Sequence, residues 1–155
     1  MGSEMCIRDR RKGGKLSGKV MKDKEGNSLR TPGTCKSVKG IGWFIEEYGI
    51  AQISMNLTNI NITPLHVAFE ECRKSADRRG MRVTGSELVG LVPLKVILEA
   101  GRYFLAKQER SLGVSEEEII KIAVKSMGLD ELTPFDPNQK TVSYTHLTLP
   151  TIYSV

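Results

Sequence analysis

The side chains best placed to do chemistry in this sequence are short, neutral and polar. Gln52, Ser54, Asn56 and Thr58 alternate with Ala51, Ile53, Met55 and Leu57 through GIAQISMNLTN, residues 49–59. Amides and hydroxyls at every second position can orient a substrate by donating and accepting hydrogen bonds, which is positioning chemistry rather than proton abstraction or nucleophilic attack. Asn59 adds one more amide at the end of the segment. Glu87, in SELVG, is the carboxylate that can join them. Its parity is that of Val83, Val89 and Leu91, so a regular strand would aim it into the core, where an unpaired carboxylate costs several kcal/mol or becomes protonated. A bulge at Gly85 would turn it to the polar side instead. An edge position in water is the alternative.

Other reactive groups are sparse. Cys6, Cys35 and Cys72 are odd in number, far apart and without a CxxC pair, and the two histidines are His66 and His146. Neither a disulfide framework nor a metal site is expected. Cys72 fits the apolar side of a helix as an inert buried thiol, and His66 sits in a helical first turn as a partly exposed packing residue. The stretch GGKLSGKV spaces Gly13, Gly18 and Lys19 like a phosphate-binding loop, but Val20 stands where the magnesium-binding hydroxyl belongs and no buried strand precedes it. It reads as a chance match in a glycine- and lysine-rich loop.

The elements that must position these groups follow from periodicity. Strict alternation from Ala51 to Thr58 predicts a strand with one apolar and one polar face. Val38, Ile41, Ile45 and Tyr48 fall at helical spacing, which predicts a helix over 37–48 ended by Gly49. Thr63 as N-cap and Pro64 at the first position open a helix whose stripe is Leu65, Ala68, Phe69, Cys72 and Ala76, ended by Gly80. Residues 81–91 predict a second strand, Pro93 opens a helix with Leu94, Ile97, Leu98, Gly101 and Leu105 inward, and Ser115 with Glu118 forms a capping box before a helix closed by Gly128. A helix joining two strands of one sheet makes those strands parallel and puts the connecting helices on one face. The other face stays open. Two strands are too few for a stable sheet, so others must complete it.

The 155 residues, 39% of them hydrophobic, suffice for one compact domain. The charge of +5 is concentrated in a basic, Gly-rich stretch from Arg10 to Lys39, which reads as a solvated loop or as an arm that collects polyanions. With no apolar run near the roughly 20 residues that a membrane span needs, and no apolar leader, the expectation is a cytoplasmic protein with no membrane partner.

The stretches IEEYG (45–49), AQISMNLTN (51–59), TPLHVAFE (63–70) and VTGSELVGLVPLK (83–95), with the later LDELTPFDP, resemble the C-terminal subdomain of the glutamate formimidoyltransferase family over roughly residues 11 to 140. The resemblance implies an α+β fold, a ferredoxin-like open sheet with helices on one face, forming half of a two-subdomain transferase. It also implies transfer of the formimidoyl group from N-formimino-L-glutamate to tetrahydrofolate, as co-substrate, in histidine degradation, with no metal. In that family two such subdomains face each other across a tunnel, and the proposed catalytic histidine belongs to the N-terminal one. Neither His66 nor His146 matches that histidine's motif, so no catalytic residue is expected here. Ser54, Asn56, Asn59 and Glu87 become the substrate- and folate-binding candidates. The partners implied are the missing N-terminal subdomain and, for the parent enzyme, a homo-oligomer.

The chain thus divides into an end at 1–10, a basic loop or linker at 11–36, the subdomain at 37–140 and an end at 141–155. MGSEMCIRDR and TVSYTHLTLPTIYSV look like translated sequencing-adapter strings, so Tyr144 to Leu149 are expected to stay out of the sheet despite their alternation. The competing reading is a small basic RNA-binding module. It is weakened because Gln52, Ser54, Asn56 and Thr58 place no ring on the open face for base stacking.

Overall fold

A computed structural model describes residues 18–142, together with the backbone of two short strands, at 8–9 and 151–154. Cys6, Gly13, Tyr144 to Leu149 and His146 lie outside the described residues. The elements in chain order are β1 (Arg8–Asp9), β2 (Arg30–Thr31), β3 (Val38–Ile45), β4 (Ile50–Leu57), α1 (Leu65–Asp77), β5 (Ser86–Val89), β6 (Val92–Pro93), α2 (Leu94–Lys107), α3 (Glu116–Met127), α4 (Pro137–Lys140), β7 (Thr141–Val142) and β8 (Thr151–Ser154). The fold is α+β.

The main sheet is four-stranded, in the order β3-β4-β8-β5. Both neighbours of β8 run antiparallel to it, so β4 and β5 are parallel to each other with β8 between them. The expected strand, helix, strand unit is present in its split form. The strands missing from the sequence-based sheet are β3 on one side and β8 in the middle.

The segment at 37–48, expected as a helix, is instead strand β3 and its turn. Gly40 and Gly42 weaken a helix, whereas Val38, Ile41, Trp43, Phe44 and Ile45 suit a pleated surface. The spacing of its aliphatic residues fits a helix only by coincidence. Gly49, in the left-handed region at φ 64°, closes the four-residue turn to β4. The second strand is also shorter than expected, starting at Ser86 rather than Met81. No bulge forms at Gly85. That glycine is where the chain passes the end of α3, with Glu131 so near that an added Cβ would sit 2.7 Å from its side chain.

One core holds Val38, Met55 and Leu57 of the sheet against Leu65, Ala68, Phe69 and Cys72 of α1, Val96, Ile97, Ala100 and Phe104 of α2, and Ala123, Val124 and Met127 of α3. All three long helices therefore cover the same sheet face. Pro64, not Thr63, occupies the N-cap of α1. The Thr63 hydroxyl is instead directed to the Lys36 carbonyl at 2.6 Å. Ser115 caps α3 by accepting from the Glu118 amide, and Gly128 ends that helix in the left-handed conformation. Gly101 lets α2 close on α3, since a Cβ there would lie 2.2 Å from the Ile119 carbonyl oxygen. In the basic loop, Lys19 and Val20 do not lead into a helix, as a phosphate-binding loop would require, and Cys35 at its end is buried in the core.

Candidate functional site

The face of the main sheet away from the helices is the place to look for a site. Along β4 the apolar set divides as its alternation predicts: Met55 and Leu57 are fully buried, and Ile53 packs against the core. Gln52, Ser54 and Asn56 point the other way. The register with β3 sets Lys39 beside Asn56, Ile41 beside Ser54 and Trp43 beside Gln52. On the far side of β8, Ser86 and Leu88 are the buried residues of β5. Glu87 and Val89 therefore share the open face. Glu87 and Ser54 both pair with position 153 of β8, two strand spacings apart, or about 10 Å.

Ser54, Asn56 and Glu87 are thus brought together on one surface. Asn59 is not among them. It lies past the end of β4, where its Oδ1 accepts from the Asn61 amide and its carbonyl from Ile62 and Thr63, so its amide shapes a turn. Thr58 is likewise engaged locally, its hydroxyl donating to the Ser37 carbonyl at 2.9 Å.

Asn56 carries the most informative feature. Its Oδ1 is shielded from solvent and accepts no hydrogen bond. Because buried polar atoms are nearly always paired, such an acceptor is ready for a donor from outside the described residues.

Sequence reasoning missed Lys39, Ile41 and Trp43, because the segment carrying them was read as a helix. The expectation of an open face without a ring is corrected: Trp43 is 41% exposed and Ile41 66% exposed on that face. The signal that could have found them was the strand-forming run VKGIGWFI itself. The site now offers a cation at Lys39, a flat apolar patch at Ile41 and Trp43, neutral hydrogen-bonding groups in the middle and a carboxylate at Glu87. Among the described residues no group of His, Cys, Asp and Glu side chains could hold a metal ion.

His66 belongs to a different layer. It stacks on Tyr103 of α2, with ring centroids 4.6 Å apart, and the core lies between it and the open sheet face. Burial lowers its pKa below the usual imidazole value, against the opposing pull of Glu99 and Glu70. Its Nδ1 is buried without a partner. One turn along, Glu70 is 4% exposed and is held by Arg73 and Lys107. Burial pushes its carboxyl up, but the hydrogen bonds and charges of Arg73 and Lys107 outweigh that and hold it below the usual carboxylate value. This seam ties α1 to α2, and the sequence-based reading of His66 as a half-buried packing residue fits it.

The geometry can be set beside known proteins. The chain is 43% identical over 120 residues to the formimidoyltransferase-cyclodeaminase of Mus musculus, covering 77% of this chain and 22% of that relative. It is 43% identical over 119 residues to the formimidoyltransferase-cyclodeaminase of Dictyostelium discoideum, with the same coverage. To the glutamate formimidoyltransferase of Streptococcus pyogenes serotype M1 it is 38% identical over 77 residues, 50% of this chain and 26% of that relative. The chain therefore spans about a fifth to a quarter of the length of these curated relatives. The model of the formiminotransferase domain matches residues 7–146, nearly the whole chain, and the chain belongs to that family.

Proposed function

We propose that this chain is one half of a glutamate formimidoyltransferase, its open sheet face forming one wall of the site where a formimidoyl group passes from N-formimino-L-glutamate to N5 of tetrahydrofolate in histidine breakdown. The observation that carries the reading is the shared face of Ser54, Asn56 and Glu87 with its unsatisfied Asn56 acceptor, in a chain of this family.

In the reaction the N5 lone pair attacks the amidine carbon to give a tetrahedral intermediate. The C–N bond to glutamate then breaks, N5 gives up its proton and the departing glutamate nitrogen takes one up. A protein assists by holding the two reactants in line and by managing those protons. The groups on this face suit the first task. Asn56 Oδ1, once a shift of its neighbours uncovers it, accepts an N–H of the amidine or the pterin, Ser54 donates or accepts beside it, and Trp43 with Ile41 offers a surface for an aromatic ring. Lys39 attracts the carboxylates that both substrates carry. The proton-managing base is assigned to the facing half, and no residue of this chain is given that role.

The test is isothermal titration of folinic acid into the 155-residue chain, alone and with a separately expressed N-terminal half. Binding that strengthens when the halves are combined is the expected result, and it weakens with Asn56→Ala. Turnover by this chain alone would show that the base has been misassigned. An RNA-binding sheet stacks two or three bases on its rings, whereas Trp43 is the ring that the described residues of this face provide. Tight binding of single-stranded RNA with a steep salt dependence would overturn the transferase reading.

A further inference from the structure

Strand β3 is an edge of the main sheet, with no strand beyond it among the described residues. The Thr58 amide donates to the Ser37 carbonyl at 2.9 Å. The β3–β4 register carries that hydrogen-bonded pairing on, at every second position, to Lys39, Ile41, Trp43 and Ile45. The N–H and C=O groups of Gly40, Gly42 and Phe44 therefore point away from β4, toward the open edge.

Edge strands are usually blunted by a proline, a bulge or charges along their length. In β3, VKGIGWFI, the pairing runs unbroken from Val38 to Ile45, there is no proline, and Lys39 is the one charge. Ile41, Trp43 and Phe44 are large apolar residues exposed on it. Its glycines are not required by the chain itself. Neither Gly40 nor Gly42 has the left-handed backbone that favours glycine, and a Cβ on Gly42 would meet nothing nearer than 3.6 Å.

We propose that β3 pairs with β3 of a second copy of this chain, antiparallel about a two-fold axis at Gly42, joining the two four-stranded sheets into one. Gly42 then meets Gly42, and Gly40 meets Phe44 of the second copy. All of these residues present their backbone groups to the edge, so each pair exchanges both of its hydrogen bonds. On the helix side the Phe44 ring lies over Gly40 of the second copy and covers backbone that glycine leaves bare. On the other side Ile41 stands opposite Trp43. Lys39 stands opposite Ile45 and reaches toward the turn that carries Glu46 and Glu47, both exposed, so the cationic end of each strand meets the acidic end of its mate. A parallel pairing in register would instead set Lys39 beside Lys39, which is unfavourable.

Sedimentation equilibrium of the 155-residue chain should show monomers in exchange with dimers. Raising the concentration should slow amide exchange at Gly40, Gly42 and Phe44 more than at Ile41 and Trp43, whose amides face β4. Gly42→Pro removes an outward donor without touching the β4 ladder and should leave a folded monomer. Lys39→Glu keeps the test open if that proline prevents folding. It acts at both ends of the two-fold pair and should weaken the dimer about tenfold, and adding Glu46→Lys and Glu47→Lys should restore it. The proposal is overturned by a chain still monomeric at about 1 mM, where even a weak pair forms, or by a folded Gly42→Pro chain that still dimerises. Exchange at Gly40, Gly42 and Phe44 that ignores concentration, or a triple variant as weak as Lys39→Glu, also overturns it. No substrate enters these measurements, so their outcome is separate from that of the transferase reading.

Discussion

At the scale of single residues, the seam between α1 and α2 makes two pH-dependent contributions with separate windows. His66 is lowered below its ordinary value of 6.5 by burial. As pH falls, the unfolded chain therefore takes up the proton first, and the contribution of the neutral ring, complete above that value, is lost below it. His66→Phe, which retains a ring against Tyr103, should make stability less dependent on pH between 7.5 and 5.5, and urea unfolding at the two values measures this. Equal slopes for both proteins would refute the assignment. Glu70 is also lowered, from an ordinary 4.5, so its contribution is present above that value and is lost as pH falls through the folded-state value. Glu70→Gln should cost about 1.5–3 kcal/mol at neutral pH, the usual range for hydrogen bonds to a charged group, and less at pH 3. Comparing denaturation midpoints at the two values checks it.

At the scale of elements, two contacts fix how the helices hold the sheet. Gly101 is where α2 meets the backbone of α3, and the Ile119 carbonyl beside it cannot swing aside as a side-chain tip could. Gly101→Ala should force the helices apart and destabilise by about 1–3 kcal/mol, despite the better helix propensity of alanine. A midpoint at or above that of the parent chain would contradict the packing. Ser86 fastens β5 to the end of α3, its hydroxyl donating to the Met127 carbonyl at 2.6 Å and its amide to Gly128. Ser86→Ala should cost about 1 kcal/mol through the carbonyl left unpaired, read as a shift in urea midpoint with the m-value unchanged. Much of the GSELVG motif is thus accounted for by architecture. Gly85 gives close approach, Ser86 the tether, Leu88 the core and Gly90 a left-handed turn, which leaves Glu87 and Val89, both on the open face, and of these Glu87 is the polar one.

At the scale of the whole molecule, β8 decides whether the sheet is one piece. Among the described residues it alone bridges β4 and β5, so a chain ending at Val142 should lose cooperative unfolding or fall substantially in Tm. Calorimetry on the shortened protein gives the answer, and an unchanged transition would mean that β8 contributes no stability. By itself the sequence determined what local patterns can carry: the two-faced strand β4, the amphipathic α1, α2 and α3, the cap at Ser115 and the turn at Gly128. It also determined the family, through motif residues kept at fixed spacing. Only the tertiary structure decided what depends on distant partners. Residues 38–45 satisfy two periodicities, and pairing with β4 selects the strand, which is why Lys39, Ile41 and Trp43 reach the open face. Gly85 looks locally like a bulge, and only the end of α3 against it shows a close approach. Asn56 and Glu87 share a surface because a strand from the far end of the chain is laid between them, a long-range pairing that no local pattern encodes.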